Sequence, residues 1–189
     1  MKQELMDAIQ ETPVIAAVKD DDGLQNALQN ENIRVVFILY GDICNISTLV
    51  QRIHAAGKFA IVHVDLIAGL ASKEVAVDFI RSQTEADGII STRPTLIRRA
   101  RHRGLLTVQR AFILDSLSLT SLSGQLEQGK PDFVEILPGI MPRVIAEIST
   151  RTQVPVIAGG LLRDKADIMA AMCAGAAAVS TSAPSLWDI

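Results

Sequence analysis

With 189 residues, 49% hydrophobic and 21% charged, the chain has the length and apolar content of one globular domain spanning 1–189, and no second domain is expected. The formal net charge of −3 excludes a protein that coats nucleic acid over its whole surface, so any RNA contact must come from a local basic face. Lys2, Glu4 and Asp7 interrupt the opening residues and no uncharged apolar run reaches the roughly 18 residues that cross a bilayer; neither a signal peptide nor a membrane span is expected, and the location expected is cytoplasmic.

In chain order, a helix carrying Leu5, Met6 and Ile9 comes first, placed to cover one end of the domain. Eight short β-branched runs then alternate with helical patterns, the signature of parallel βα units. Val14 to Val18 is followed by Lys19, and Val35 to Leu39 by a helix with Ile46, Leu49, Val50 and Ile53 at i, i+3, i+4 and i+7 and Gly57 as its stop. Ala60 to Val64 runs into Asp65; Gly88 to Ser91 is followed by Thr92, Arg93 and a helix that Pro94 opens and Gly104 closes. Leu105 to Val108 precedes Gln109 and Arg110, after which Asp115 caps a helix that Gly129 ends. Phe133 to Leu137 contains Glu135, and Pro142 opens the next helix. Val156 to Ala158 is followed by Gly159 and Gly160, then by a helix between Asp164 and Gly175; Ala177 to Ser180 is followed by Thr181, Ser182 and a short segment from Ala183 to Trp187.

Eight such units predict an α/β chain closed as a (β/α)8 TIM barrel, because closure removes the edges that an open parallel sheet would keep. Barrels typically use about 250 residues, so the loops must be minimal; an open doubly wound sheet is the alternative.

In a barrel the functional groups gather at the carboxyl ends of the strands. Gly159-Gly160 after strand 7 lets backbone approach an oxyanion, and Thr181 and Ser182 after strand 8 add hydroxyls ahead of a helix start, which together describe a phosphate site. The plain alternative is a tight turn and a solvated strand end; the placement at the seventh and eighth positions favours phosphate. Asp65 and Glu135 suit either the hydroxyls of a polyol or a paired-carboxylate catalyst, with binding preferred. Lys19, Arg93 and Gln109 are placed at the same polyol end. No lysine lies inside a strand, which argues against Schiff-base aldolase chemistry. His54, His63 and His102 have no metal-ligand spacing, and no cofactor is called for; a divalent metal at Asp65 and Glu135 stays open as an alternative that nothing in the sequence demands. His63 and Asp65 are expected to share a face because strand side chains alternate with period two; a structural histidine is preferred to a proton-transfer or supporting pair. Cys44 and Cys173, in no CxxC pattern, are expected as buried reduced thiols. The run Arg98-Arg99-Ala100-Arg101-His102-Arg103 is either a phosphate track for RNA or an ordinary solvated helix end. Aromatic residues are 4% of the chain, so an RNA contact would lean on phosphates and arginine planes.

Taken together, these segments resemble the glycerol-3-phosphate-responsive antiterminator family. The likeness rests on His63-Val64-Asp65-Leu66-Ile67 with Gly69-Leu70, Asp87-Gly88-Ile89-Ile90-Ser91-Thr92, Val108-Gln109-Arg110, Val134-Glu135-Ile136-Leu137-Pro138-Gly139, Ala158-Gly159-Gly160 and Ser180-Thr181-Ser182 before Leu186-Trp187, in order along nearly the whole chain. The resemblance implies a regulator that binds glycerol 3-phosphate, or a related phosphorylated polyol, and acts on a leader mRNA so that transcription continues past a terminator. It places phosphate on Gly159, Gly160, Thr181 and Ser182, with Asp65 and Glu135 near the glycerol end. No motif fixes the RNA contacts; Arg98, Arg99, Arg101 and Arg103 are the candidates from charge, and a two-fold homodimer would lengthen their track. The competing class is a phosphate-binding barrel enzyme with Asp65 or Glu135 as general base.

Overall fold

The computed structural model describes residues 2–188. Eight parallel strands close into one barrel in chain order: β1 (Val14–Val18), β2 (Val35–Ile38), β3 (Phe59–His63), β4 (Gly88–Ser91), β5 (Leu106–Phe112), β6 (Phe133–Leu137), β7 (Val156–Gly159) and β8 (Ala178–Thr181). β8 pairs back onto β1, Val179 beside Val14 and Ser180 beside Ile15, so no strand edge is left open and the doubly wound alternative is excluded. The architecture is a TIM barrel.

Helix α1 (Lys2–Glu11) precedes the barrel; α2 (Asp21–Gln29), α3 (Ile46–Ala55), α4 (Glu74–Gln83), α5 (Pro94–His102), α6 (Ser116–Gly129), α7 (Pro142–Arg151) and α8 (Lys165–Cys173) fill the crossovers. The barrel fits a short chain because its connections are minimal: Lys19-Asp20 joins β1 to α2, and Thr92-Arg93 joins β4 to α5. Among the described residues, β8 is followed by a 3₁₀ turn, Pro184–Leu186. Trp187 occupies the space beyond it, 2% exposed, with its Nε1 donating to the Thr181 carbonyl at 3.0 Å.

Local chemistry accounts for most element ends. The Asp115 and Asp164 carboxylates accept from the amides of Ser118 and Asp167 at 2.7 and 2.9 Å, satisfying first-turn donors, and Pro94 and Pro142 sit in first turns, where a missing N–H costs nothing. The end of α6 differs from expectation: Gly129 is its last helical residue and Lys130 takes the left-handed cap at φ 50°. Gly129 is there for close packing, since a Cβ would lie 2.5 Å from Gln109 Oε1.

Leu5, Ala8 and Ile9 of α1 pack under the barrel against the interior cluster that includes Phe37, Ile61, Leu106 and Phe133. A second, larger cluster lies between the strands and the outer helices. Cys44 and Cys173 are free and exposed, not buried as expected: one lies in the β2–α3 connection, the other ends α8, and neither belongs to a packed cluster.

Candidate functional site

Strand side chains alternate, so Leu106 and Val108 in the interior cluster put Arg110 inside the barrel as well. The same parity brings Glu135 in above Phe133, Gly159 above Ile157, and Ser180 above Ala178. The interior therefore changes from apolar to polar toward the carboxyl ends of the strands. Arg110 and Glu135 are register partners on neighbouring strands, and Arg110 Nε donates to Glu135 Oε2 at 2.6 Å. Ser180 Oγ donates to the other carboxylate oxygen, also at 2.6 Å. Glu135 is wholly buried, and both bonds are charge-assisted.

The Ser180 bond spans β7, and only a glycine there permits it. A Cβ on Gly159 would lie 2.5 Å from Ser180 Oγ and 2.8 Å from Glu135 Oε1. Gly159→Ala is therefore expected to force both groups apart and to lower unfolding free energy by about 2 kcal/mol, the ordinary cost of overpacking; urea titration would show it, and an unchanged midpoint would refute the account.

Beyond Gly159 the chain turns through Gly160 at φ 76° and Leu161 at φ 62°. Left-handed backbone at a leucine is costly, and such strain concentrates at functional sites. The Gly139 amide holds this turn, donating to the carbonyls of Gly159 at 2.6 Å and Gly160 at 3.0 Å, which gives the Leu137-Pro138-Gly139 segment a physical role. Arg110, Glu135, Gly160, Leu161, Ser180 and Ser182 line a cavity of about 160 Å³ at the mouth. Nε of Arg110 is engaged with Glu135, and the remaining N–H groups of the guanidinium sit on its terminal nitrogens.

A second polar cluster stands at β3 and β4. Asp65 accepts from Ser91 Oγ at 3.0 and 3.1 Å, from the Thr92 amide at 2.7 Å and from Thr92 Oγ1 at 3.0 Å, with Arg93 Nε 3.8 Å away. His63, 2% exposed, feels both clusters: burial and, after it, the Arg110 charge lower its pKa to about 4, with the Asp65 charge opposing them. Its Nδ1 is buried without a hydrogen-bond partner.

Several expected residues are placed differently. β5 runs on to Phe112, so Gln109 lies within the strand and faces outward, buried over Gly129 with its Nε2 3.4 Å from Gln125 Oε1; it is not at the mouth. Thr181 lies beside Ser180 and Ser182 in the lining of the cavity, but its hydroxyl accepts the Ala183 amide at 3.2 Å, and the expected helix start is a 3₁₀ turn opened by Pro184, which has no N–H. Glu135 lines the cavity with both carboxylate oxygens engaged, one by Arg110 and one by Ser180. β3 stops at His63, and Asp65 lies in a 3₁₀ turn, Val64–Leu66, so the two share the mouth but not a strand face. Lys19 is exposed after β1 and Arg93 is exposed at the start of α5. Of the basic run, Arg99 and Arg103 converge on Asp78 at 2.8 and 3.2 Å, Arg101 donates to the Lys130 carbonyl at 2.7 Å, and Arg98 is exposed. Arg110, read from the sequence as following the fifth strand beside Gln109 and given no site role, is the residue that reading missed; parity from Leu106 and Val108 is the signal that puts it inside.

Residues 14–187 match the model of the family described as glycerol-3-phosphate responsive antiterminator. A curated protein of Escherichia coli (strain K12), YgcP, described as uncharacterized, is 43% identical over 185 residues, covering 98% of this chain and 96% of that protein. The crystal structure of the glycerol uptake operon antiterminator regulatory protein from Listeria monocytogenes is similar with a TM-score of 0.89 at 31% identity, over 93% of this chain and 94% of that one. A glycerol uptake operon antiterminator-related protein from Thermotoga maritima has a TM-score of 0.81 at 32% identity, over 94% and 99% of the two chains. With the match running from β1 through Trp187, this chain belongs to the glycerol-3-phosphate-responsive antiterminator family.

Proposed function

We propose that this chain is a ligand-switched regulator of transcription antitermination: glycerol 3-phosphate, or a related phosphorylated polyol, enters the barrel mouth, and the occupied form binds leader mRNA. The observation that carries the proposal is the Arg110 guanidinium, fixed by the buried Glu135 carboxylate at a cavity edged by Gly160, Ser180 and Ser182. A preoriented cation with hydroxyls and a glycine turn is suited to a phosphate dianion. The phosphate lies against Gly160, Ser182 and Arg110, and the polyol extends toward Asp65, Lys19 and Arg93. The enzyme alternative draws little from the site, because Glu135 is engaged by Arg110 and Ser180 and Asp65 already accepts from three donors, the Ser91 hydroxyl and the Thr92 amide and hydroxyl.

Ligand differential affinity for the RNA-competent form supplies the switch. A thermal unfolding scan in phosphate-free buffer, comparing glycerol 3-phosphate, glycerol and other phosphorylated polyols on the unaltered protein and Gly160→Asp, tests it. Ligand at about 100 times its dissociation constant adds roughly 2.7 kcal/mol, or about 5 to 10 °C for a chain of this size. A shift with glycerol 3-phosphate but not glycerol, lost in Gly160→Asp, is expected; no shift with any phosphorylated compound refutes the cavity as a phosphate site.

A further inference from the structure

At the other end of the barrel from the cavity, the ends of α5, α6 and α7 frame a groove of about 460 Å³, within the range of ligand sites. Its floor is aliphatic, from Leu122, Leu126, Ile148 and Val154, and its rim carries Arg101, Lys130 and Arg151. Three separate elements supply these cations. Arg101 is held there by its bond to the Lys130 carbonyl, and Arg151 pairs with Glu147 at 2.7 Å; Glu127 also lines the groove. Arg98 continues the basic edge one turn earlier on the same side of α5 as Arg101, whereas Arg99 and Arg103 turn to Asp78 on α4.

We infer that this groove is the RNA contact surface, an unstacked base entering the apolar hollow while backbone phosphates lie along Arg98, Arg101, Lys130 and Arg151. The inference rests on the regulator function proposed above. Single-stranded RNA alternates flat bases with charged phosphates, and a hollow with a cationic rim complements both. β5 joins the two sites: Arg110 faces the ligand cavity, and its neighbour Gln109 packs on Gly129, beside Lys130 and with its Oε1 buried and unpartnered.

The test is filter binding of a random-sequence single-stranded RNA library with glycerol 3-phosphate present. Arg98→Glu with Arg101→Glu is expected to lower affinity at least tenfold and to make the salt dependence shallower by about 0.7 in log–log slope for each phosphate no longer neutralised. Ser123→Trp, which fills the groove without changing charge, is expected to lower affinity several-fold at unchanged slope, and Lys165→Glu on α8 to leave both unchanged. RNA binding that persists undiminished in the arginine pair and in Ser123→Trp overturns the inference, keeps the regulator function and leaves the groove to a protein partner. No ligand-dependent RNA binding by the unaltered protein overturns the regulator function and, with it, this surface.

Discussion

Arg110→Met is expected to lower unfolding free energy by about 3 to 5 kcal/mol and to abolish stabilisation by glycerol 3-phosphate. The cost arises at the carboxylate left behind. Glu135 is 0% exposed, and without Arg110 it keeps one hydroxyl donor, Ser180, so a buried charge loses its compensation. The loss of ligand response has a different origin, the removal of the fixed cation from the cavity. Arg110→Met combined with Glu135→Leu separates the two effects. Removing both charges together is often neutral or stabilising, so the double variant is expected to recover most of the stability and none of the ligand response. Urea unfolding with calorimetric titration of glycerol 3-phosphate measures both. A single variant costing under about 1 kcal/mol would show that the pair contributes little, and a double variant that still bound ligand would move the phosphate elsewhere.

The barrel was legible in the sequence because its signals are local: eight β-branched runs, Asp caps, first-turn prolines and glycine stops each follow from the chemistry of a few neighbouring residues. The mouth was less so, for two physical reasons. Polar residues at the top of a barrel interior look like a strand's end, so a strand ended at Val108 leaves Gln109 and Arg110 as equal loop residues. Continued to Phe112, the alternation set by Leu106 and Val108 separates them, Arg110 inward and Gln109 against α6. The second reason is non-local contact. Gly159 reads as a residue kept small for a ligand, but the groups that crowd its missing Cβ are Ser180 Oγ and Glu135 Oε1, which lie 45 residues apart in the chain. Asp78 likewise claims Arg99 and Arg103 from another helix, which no local reading of the basic run can anticipate.

His63 is expected to make stability fall with acidification more steeply than the carboxylates alone would. Its pKa in the folded protein is about 4, against about 6.5 for an unperturbed histidine, because burial and the nearby Arg110 charge both disfavour the imidazolium while Asp65 only partly offsets them. Between these values the unfolded chain binds the extra proton and the folded one does not, so stability rises with pH through this window. The contribution is fully present above about pH 6.5 and is lost as pH falls toward 4, to a total of about 3 kcal/mol. Carboxylates titrate in part of the same range, so the measurement is a comparison: urea unfolding from about pH 7 to about pH 4 for the unaltered protein and His63→Leu. The leucine removes the proton-binding group and the unpartnered Nδ1 together, a replacement that is nearly neutral or stabilising in a buried site. The difference between the two proteins should widen in favour of His63→Leu as pH falls. Parallel curves would mean that His63 is either solvated or protonated in the folded state, and that burial beside Arg110 does not hold it neutral.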